Sequence, residues 1–578
     1  NPALSVLHSP TNMRAFAVLL ATAAAAPSFN STSGPISGLS REIHPENRVV
    51  DAFFGIPYAA PPTGENRFRA PQPPAAWREV LNATEVGAAC PQMQITGKVV
   101  KQSEDCLYLN VHRPAGLTAP APVMVWLHGG GWILGDGDEK GRFDGGHLAA
   151  RHDVIIVTVN YRLGALGFMA LQELQEEDPD RSTGNMALQD QRAALKWVRE
   201  NAESFGGDKS RVTLFGQSAG AFSVTWHLAS PASRGLFSAA IVDSGTSHTD
   251  WFFQPLDKST AFYSEMATGL GCHPGAGRLA CLRKVDSEKF VLTVAKMVAA
   301  VAGKWFNHTI PGLPHGIVPG GWPVMPFGAT IDGSHAGLLA DPLTMMQNGT
   351  FNSVPLIIGG NQNDGDIAAP LIPLGNVHPS FAMEPFLDQF LPNTTQKQAV
   401  LATYTVDEFG SEIRRGARFF RDLIFQCSSR NVARAFNQAG QQVYLYDFAV
   451  AFGKFEMATI GDSHAMDIEF DWRNGLEKMG STPKQHAEFV NASDAITCSW
   501  ASFATCRAPR CSEAVRSCAG TEAVVPEWPA YSPGTQAYYS MRAAPVVKHI
   551  QEAKFPDDEV APDRRCDLLS EVKLNWGN

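Results

Sequence analysis

The chain has 578 residues, of which 44% are hydrophobic, 18% charged and 10% aromatic, a composition that excludes a disordered protein and supplies a large core. Its 47 basic and 57 acidic side chains give a formal charge of −10, which excludes a protein held on nucleic acid by its charge. Although length alone suggests several domains of about 150 residues each, we expect one domain over residues 26–578.

The first residues have the pattern of a secretion leader. Basic Arg14, an apolar stretch at 15–20 and small residues at 21–26 match its three parts, so residues 13–25 are predicted to be a signal peptide. A short buried helix is the alternative. Residues 1–12 are interpreted as upstream leader or vector-derived sequence. No apolar run reaches the roughly 18–20 residues that cross a membrane, and we expect no stable membrane anchor.

Cysteine usage and glycosylation signals agree with the leader. The ten cysteines are an even number, which favours an oxidising compartment. Six Asn-x-Ser/Thr sequons add the expectation of N-glycans, and together these signals predict a secreted, extracellular glycoprotein. The sequons lie at Asn30, Asn82, Asn307, Asn348, Asn393 and Asn491.

Continuous apolar runs predict buried parallel strands at 123–127, 154–159 and 212–215. Each run ends at a polar or glycine-rich turn. Between the second and third runs, apolar residues recur at helical spacing over 187–205, which predicts a crossover helix. Further strands are predicted at 239–242, 354–358 and 442–446. This succession is typical of βαβ units and therefore of an α/β fold.

A candidate nucleophile lies directly after the third of these strands. Residues 216–220 (GQSAG) precede a helix of small residues predicted at 219–229. A serine in this strand-turn-helix context sits in a strained turn that exposes its hydroxyl, and its flanking glycines avoid collisions with the neighbouring strand and helix. Ser218 is therefore the candidate nucleophile.

A serine hydroxyl needs a base within hydrogen-bonding reach and an acid that orients the base. In this topology the acid comes next along the chain and the histidine comes last. The turn after the strand at 354–358 offers Asp364, which we favour, and Asp366 as the alternative. His464, in a loop of small residues (461–465, GDSHA), is the best placed base. The other candidate histidines are His378, His486 and His549.

Residues 128–132 (HGGGW) follow the first buried strand. Consecutive glycines let backbone N–H groups approach a ligand oxygen without side-chain obstruction. The glycine turn at 129–131, together with the Ala219 N–H beside the serine, is therefore the candidate oxyanion hole. Each such donor is worth about 3 kcal/mol of transition-state stabilisation.

Signals for other chemistry are missing from the sequence. No phosphate-binding glycine loop adjoins a lysine, and no zinc-type pair of histidines or cysteines occurs. Residues 136–139 (DGDE) resemble part of a calcium loop, but the later ligands do not follow at the required spacing. We expect no metal and no cofactor.

With these motifs in place, the chain resembles the type-B carboxylesterase/lipase family, the cholinesterase-like branch of the α/β-hydrolase fold, and its secreted fungal members. The resemblance covers nearly the whole mature chain. Besides the serine and glycine motifs, it rests on 54–59 (FGIPYA), 61–62 (PP), 67–68 (RF), 104–111 (EDCLYLNV), 160–164 (NYRLG), 184–185 (GN), 190–191 (DQ) and 205–208 (FGGD). It implies a large, mostly parallel central sheet flanked by helices on both faces, with helical insertions.

The resemblance also implies roles for individual residues. Ser218 would be the nucleophile, Asp364 the acid and His464 the base, with Gly130, Gly131 and Ala219 as oxyanion donors. The chain departs from the family at Gln217 and Asp364, where the family usually has Glu. Because Asp is one methylene shorter, we expect the His464 loop to approach it more closely.

Scaffold features follow from the same resemblance. It implies two disulfides, Cys90 to Cys106 and Cys272 to Cys281, and two buried ion pairs, Arg162 with Asp190 and Arg67 with Glu104. Six cysteines remain, and the sequence alone permits many pairings among them. We expect pairing within 506–518, in a surface loop at 506–525 fixed by disulfides. The six are Cys427, Cys498, Cys506, Cys511, Cys518 and Cys566.

Substrate size is inferred from the loop between Cys90 and Cys106. This loop is short and lacks the tryptophan that stacks on the choline ammonium in cholinesterases. A short loop favours a soluble ester with a short or small acyl group. Trp132, beside the oxyanion glycines, either narrows the acyl pocket or packs in the core.

The sequence therefore predicts a secreted serine carboxylesterase that acts through an acyl-enzyme on Ser218. Its expected partners are a small-molecule or lipid ester, water and N-glycans, and the oligomeric state is not predicted. A long-chain lipase or sterol esterase is the alternative enzyme, and acetyl-ester and aryl-acid esterases are not ranked against it. A non-catalytic cholinesterase-like binding module is the alternative from another class, against which the retained serine, acid, histidine and glycines argue.

Overall fold

The computed structural model describes residues 26–93, 101–246, 253–305, 327–365, 383–391, 393–450, 463–476, 479, 482–511, 518, 525, 527–542, 546–549 and 563–572. The strands are β1 (Ser28–Ser31), β2 (Gly34–Ser37), β3 (Leu39–Ile43), β4 (Arg48–Pro57), β5 (Leu81–Asn82), β6 (Tyr108–Pro114), β7 (Ala121–Leu127), β8 (Ile155–Val159), β9 (Gly207–Gln217), β10 (Ala239–Asp243), β11 (Phe253–Pro255), β12 (Ala329–Ile331), β13 (Leu356–Asn361), β14 (Val443–Phe448), β15 (Ala537–Met541) and β16 (Val546–His549).

The helices are α1 (Gly146–His152), α2 (Gly164–Phe168), α3 (Gln172–Glu177), α4 (Met186–Asn201), α5 (Ala219–Ala229), α6 (Leu256–Gly269), α7 (Arg278–Leu282), α8 (Ser287–Trp305), α9 (Pro342–Gln347), α10 (Met383–Phe390), α11 (Thr394–Thr403), α12 (Val406–Phe409), α13 (Glu412–Arg421), α14 (Cys427–Gln438), α15 (Ile468–Trp472), α16 (Pro483–Cys506) and α17 (Asp563–Glu571). A π-helical turn, Asp422–Gln426, joins α13 to α14. Among these described helices, none combines the length and apolar character that a membrane crossing needs.

One large sheet organises the described residues. Its order is β16-β15-β14-β13-β10-β9-β7-β8-β6-β4-β3. The strands from β15 through β8 in this order run parallel, and antiparallel strands close both edges. Two small sheets, β1-β2-β5 and β11-β12, lie outside it. The α/β-hydrolase architecture with a mostly parallel sheet is thus confirmed.

Strand β7 explains why the central runs are apolar throughout. All seven of its residues are buried. Because successive side chains of a strand point to opposite faces, Val123, Val125 and Leu127 join one apolar cluster while Met124 and Trp126 join another. Both faces of the sheet are therefore covered, as parallel sheets require.

The predicted elements occur where the apolar patterns placed them. The strand expected at 123–127 is β7, and the crossover helix expected over 187–205 is α4 followed by a short 3-10 turn, Ala202–Phe205. The helix after the serine is α5, with the expected bounds. The connection from β8 through α4 to β9 is a crossover between strands that both pair in parallel with β7.

Five disulfides use all ten cysteines. Cys90 is joined to Cys106 and Cys272 to Cys281. The remaining pairs are Cys427 with Cys566, Cys498 with Cys518 and Cys506 with Cys511. The expected pairing within 506–518 is therefore only partly correct, because Cys506 pairs with Cys511 but Cys518 pairs with Cys498 on α16.

Two ion pairs fix loops around the sheet. The Arg162 guanidinium donates two hydrogen bonds, of 2.7 and 2.6 Å, to the Asp190 carboxylate on α4, and both side chains are buried. Arg67 bonds Glu104 beside the Cys90 to Cys106 disulfide and donates to the Val285 carbonyl. Losing one partner of such a buried pair costs several kcal/mol, about 3–5, because a charge stays buried without compensation.

Candidate active site

Ser218 occupies a sharp turn between β9 and α5. Its backbone has φ 55° and ψ −124°, a combination that ordinary residues rarely adopt. The Ser218 N–H donates to the Asp243 carbonyl at the end of β10, 3.0 Å away, which holds the turn against the neighbouring strand. The side chain is only partly buried, so the hydroxyl is accessible.

The glycines on both sides of Ser218 are required by crowding. A Cβ on Gly220 would lie 1.9 Å from the Leu127 carbonyl oxygen, and one on Gly216 would lie 2.7 Å from the Gly220 carbonyl carbon. These neighbours are backbone atoms, which cannot rotate away. Only glycine therefore allows β7, β9 and α5 to pack this closely.

The glycine turn after β7 passes directly beside the serine. A Cβ on Gly129 would lie 3.2 Å from the Ser218 Cβ. Gly130 and Gly131 have φ of 100° and 60°, in the left-handed region that favours glycine. Within the described part of the chain, the N–H groups of these two glycines donate to no acceptor. The N–H of Ala219, the first residue of α5, has no intrahelical acceptor either.

His128 supports the glycine turn from behind. It is fully buried, stacks on Tyr161 at 4.3 Å, and its Nδ1 lies 2.8 Å from the Gly129 carbonyl oxygen. Burial lowers the pKa of His128 to about 4, so the ring is neutral at neutral pH. A neutral ring with its proton on Nδ1 donates to Gly129 and fixes the path of the turn.

Asp364 and His464 are brought together from turns 100 residues apart. His464 Nδ1 lies 2.8 Å from Asp364 Oδ1, and Asp364 is fully buried. The Asn361 N–H donates to the second carboxylate oxygen, Oδ2, at 2.7 Å. Burial raises the pKa of Asp364, while the hydrogen bond and charge of His464 lower it. With its Nδ1 proton held by Asp364, His464 has Nε2 free to accept a proton.

The two loops that carry Asp364 and His464 contact each other directly. Asn361 Nδ2 donates to the Ser463 carbonyl at 2.7 Å, and Asn363 and Ser463 form a parallel β-bridge. These contacts hold the Asp364 and His464 loops against each other. Phe425, from the π-helical turn, packs against the His464 ring with centroids 5.1 Å apart.

Gln217 also contacts His464. Its Nε2 lies 3.3 Å from His464 Nε2. Among the described residues, Ser218 Oγ has no hydrogen-bond partner. The side-chain amide of Gln217, and not the Ser218 hydroxyl, therefore contacts His464 Nε2. The sequence marked Gln217 only as a departure from the family pattern. Asn361 and Phe425 carried no sequence signal, because their contacts depend on loops distant in the chain.

The other sequence candidates lie elsewhere or outside the described residues. Asp366 and His378 are outside them. His486 lies on α16 with its Nδ1 3.4 Å from the Met479 carbonyl, and His549 contacts the Thr535 carbonyl from β16. Neither histidine therefore bonds Asp364. Asp136 and Asp138, from the calcium-like motif, accept backbone N–H groups of their own turn.

The structure decides between the two interpretations of Trp132. The residue is fully buried, stacks on Trp226 at 4.7 Å and donates its indole N–H to Ser223 Oγ at 3.1 Å. It packs in the core, and the interpretation that it narrows the acyl pocket is wrong.

Five of the six sequons have exposed asparagines, and Asn307 lies outside the described residues. The exposed ones are Asn30, Asn82, Asn348, Asn393 and Asn491. Asn393 also caps α11, accepting the Thr395 and Gln396 N–H groups through its side-chain oxygen. Asn491 lies on α16, whereas sequons that receive glycans are usually on surface loops.

Comparisons with known proteins agree with this geometry. A family model described as the carboxylesterase family matches residues 25–557. The para-nitrobenzyl esterase of Bacillus subtilis (strain 168) is 34% identical over 497 residues, covering 84% of this chain and 90% of that protein. The cholinesterase of Mus musculus is 30% identical over 542 residues, covering 88% of this chain and 82% of that protein.

Solved structures extend the likeness to three dimensions. A structure of PNB esterase superimposes with a TM-score of 0.73 and 29% sequence identity, covering 94% of this chain and 100% of that one. Sequence and structure thus match over nearly the same extent. The chain therefore belongs to the carboxylesterase family and is a carboxylic ester hydrolase with the α/β-hydrolase fold.

Proposed function

We propose that this hydrolase acts through an acyl-enzyme on Ser218, with His464 as base and Asp364 as the acid that orients it. The main support for the proposal is that three features lie at the same edge of the central sheet. The strained serine turn, the glycine turn beside it and the bonded Asp364–His464 pair all follow carboxyl ends of parallel strands, β9, β7, β13 and β14. Ligands of open α/β sheets bind at this edge.

The chemical steps follow from these positions. Ser218 Oγ attacks the ester carbonyl carbon while His464 Nε2 accepts its proton, and the imidazolium then gives that proton to the departing alcohol oxygen. The N–H groups of Gly130, Gly131 and Ala219 donate to the oxygen that becomes negative. Water attacks the acyl-enzyme with His464 again as base, which releases the acid and restores the serine.

The proposed substrate carries a short or small acyl group. In support, Met93, Ile133 and Val294 pack around a narrow, mostly apolar crevice beside the glycine turn, with room for about one water molecule. Among the described residues, this side of the turn therefore offers little open space for a long acyl chain. Ile133 is held next to the turn by a hydrogen bond from its N–H to the Gly130 carbonyl.

Substrate size is tested by kcat/KM across p-nitrophenyl esters from acetyl to palmitoyl, with Ser218→Ala as the control. We expect a peak between acetyl and butyryl, and a loss of at least about a thousandfold in the control. A peak at palmitoyl would favour the lipase alternative and refute the short-acyl proposal, leaving the serine in place. A fully active Ser218→Ala enzyme would refute the acyl-enzyme.

Secretion and N-glycosylation are part of the same proposal. Five disulfides support it, because they persist in oxidising compartments. Expression of the full chain in a secreting eukaryotic host should yield extracellular enzyme whose mass falls on treatment with an endoglycosidase. Enzyme retained inside the cells with an unchanged mass would contradict the proposal.

A further inference from the structure

Three aspartates meet behind the proposed triad. Asp243 ends β10, and Asp467 and Asp471 lie at the start and near the end of α15. Each is at most 2% exposed. Carboxylate oxygens of the three all lie within 4.8 Å of one another. We call these three residues the aspartate cluster.

The described residues offer the aspartate cluster no cationic partner. Within the described part of the chain, no lysine, arginine or histidine forms an ion pair with any of the three. Arg473, two residues beyond Asp471, is instead paired with Asp494 and Glu46. Three unpaired negative charges at this depth would be strongly unfavourable, since burial and mutual repulsion both oppose ionisation.

Hydrogen-bond donors satisfy only part of the aspartate cluster. The Tyr446 hydroxyl donates to Asp243 Oδ1, and Asn361 Nδ2 donates to Asp467 Oδ1 at 3.1 Å. One oxygen of each aspartate, Oδ2, finds no donor among the described residues. A protonated carboxyl becomes a donor, so protons shared between facing carboxyls would supply the missing hydrogen bonds.

We propose that Asp243, Asp467 and Asp471 share two protons in the folded protein, so that the aspartate cluster carries one negative charge at neutral pH instead of three. A bound cation is the competing way to neutralise the charge. A calcium ion takes about six to eight oxygen ligands. Of the six carboxylate oxygens in the cluster, one on Asp243 and one on Asp467 already accept hydrogen bonds from Tyr446 and Asn361, and the loss of these oxygens as ligands favours protons.

The electrostatics of the surroundings agree with shared protons. Burial, with the neighbouring carboxyls, raises the pKa of Asp243 and of Asp471 well above the ordinary range. Among the described residues, the other titratable groups that face the cluster are Tyr446 from β14, whose pKa is itself raised by burial, and the Asp364–His464 pair. Asp467 accepts the Asn361 amide N–H, and such a donor favours an ionised carboxyl at this member of the cluster.

Proton sharing limits the negative charge beside the triad. Asn361 contacts both groups, since its backbone N–H bonds Asp364 and its side chain bonds Asp467. The charge of Asp467 raises the pKa of Asp364. A fully ionised cluster would add two more charges and favour protonation of Asp364, which would weaken its hold on the base. The inference rests on the proposed triad only for this consequence.

Infrared spectroscopy tests the protons directly. In D₂O at pH 7, the wild-type protein should show a carboxylic acid C=O band that loses about half its intensity in Asp471→Asn, because one of the two shared protons is lost with the third carboxyl. The matched control Asp257→Asn removes an exposed aspartate from the first turn of α6 and should leave the band unchanged. Wild-type protein with no such band at pH 7 would overturn the proposal, whether or not the variant folds and whatever the esterase activity.

Stability against pH gives an independent readout. A carboxyl whose pKa is higher in the folded state than in the unfolded state binds more protons when folded, so stability falls as pH rises between the two values. Wild-type Tm should therefore decline from pH 5 to pH 8 more than that of Asp471→Asn, by about 2 °C. An equal or steeper decline in the variant, or one tightly bound divalent cation per chain by elemental analysis, would refute proton sharing.

Discussion

In the proposed chemistry His464 Nε2 accepts the proton and later returns it, and Gln217 Nε2 lies 3.3 Å from this atom. Replacing this neutral amide with a carboxylate, Gln217→Glu, would favour the imidazolium form, since an opposite charge nearby stabilises a cation. The base is active only when neutral, so we expect the acidic limb of kcat/KM to move to higher pH by about one unit. An unmoved limb in a pH profile of the variant would contradict the contact.

Asp364 provides the second prediction at this scale. Asp364→Asn should reduce kcat by about 10⁴, because an amide that keeps its oxygen on the Asn361 N–H turns its NH2 group to His464 Nδ1 and favours the tautomer with the proton on Nε2. Asp364→Glu, which keeps the charge but is one methylene longer than the site allows, should retain more activity than Asn. Equal loss in the two variants, measured with a p-nitrophenyl ester, would mean that position and not charge is the limiting property.

Single residues were predictable where a local pattern demanded them. Ser218 and the glycines of both turns follow from strand, turn and helix signals within a few positions. The contacts of Asn361 with the Ser463 loop and of Phe425 with the His464 ring were not predictable, because each depends on how loops far apart in sequence fold against one another. The burial of Trp132 was likewise decided by Trp226 and Ser223 on α5.

At the scale of elements, the close packing of β7, β9 and α5 depends on Gly220. Gly220→Ala would place a Cβ 1.9 Å from the Leu127 carbonyl oxygen, and we expect a loss of more than about 3 kcal/mol or no folded enzyme. Gly269→Ala is the matched control, since nothing lies within 4 Å of its Cβ at the end of α6. The control should gain about 0.5–1 kcal/mol in urea unfolding, and similar losses in both variants would refute the packing argument.

Elements with strong periodic signals were predicted well, and the others were not. The central strands are buried on both faces and so stand out as continuous apolar runs. The antiparallel edge strands, such as β3 with its pattern Leu-Ser-Arg-Glu-Ile, are half exposed and gave no distinct run. The π-helical turn that positions Phe425 has hydrogen bonds to the fifth residue, a spacing that apolar periodicity does not reveal.

At the scale of the whole molecule, one disulfide closes a far longer loop than the others. Cys427 on α14 and Cys566 on α17 are 139 residues apart, against 5 for Cys506 and Cys511. Replacing both cysteines of a pair with alanine should cost about 5 kcal/mol for the first and about 2 kcal/mol for the second, because longer loops lose more unfolded-state entropy when closed. Urea unfolding of the two double variants would contradict this account if the losses were equal.

The long-range disulfides also show which cysteine pairs could not be predicted from the sequence. Family resemblance gave two of the pairs, Cys90 with Cys106 and Cys272 with Cys281. The pairing of Cys427 with Cys566 follows from the packing of α14 against α17, and that of Cys498 with Cys518 from the position of Cys518 against α16. Spacing along the chain carries no information about such contacts.

The bridge between the Asn361 turn and the Ser463 loop has a mechanical consequence. It joins the loops of Asp364 and His464 directly, whereas the serine turn is held separately, by the hydrogen bond of the Ser218 N–H to the Asp243 carbonyl. A substitution that displaces the serine turn should therefore change the distance from Ser218 to His464 and leave the 2.8 Å contact of His464 with Asp364 intact. The orientation of the proposed proton acceptor thus depends on the Asn361 turn and not on the position of the nucleophile.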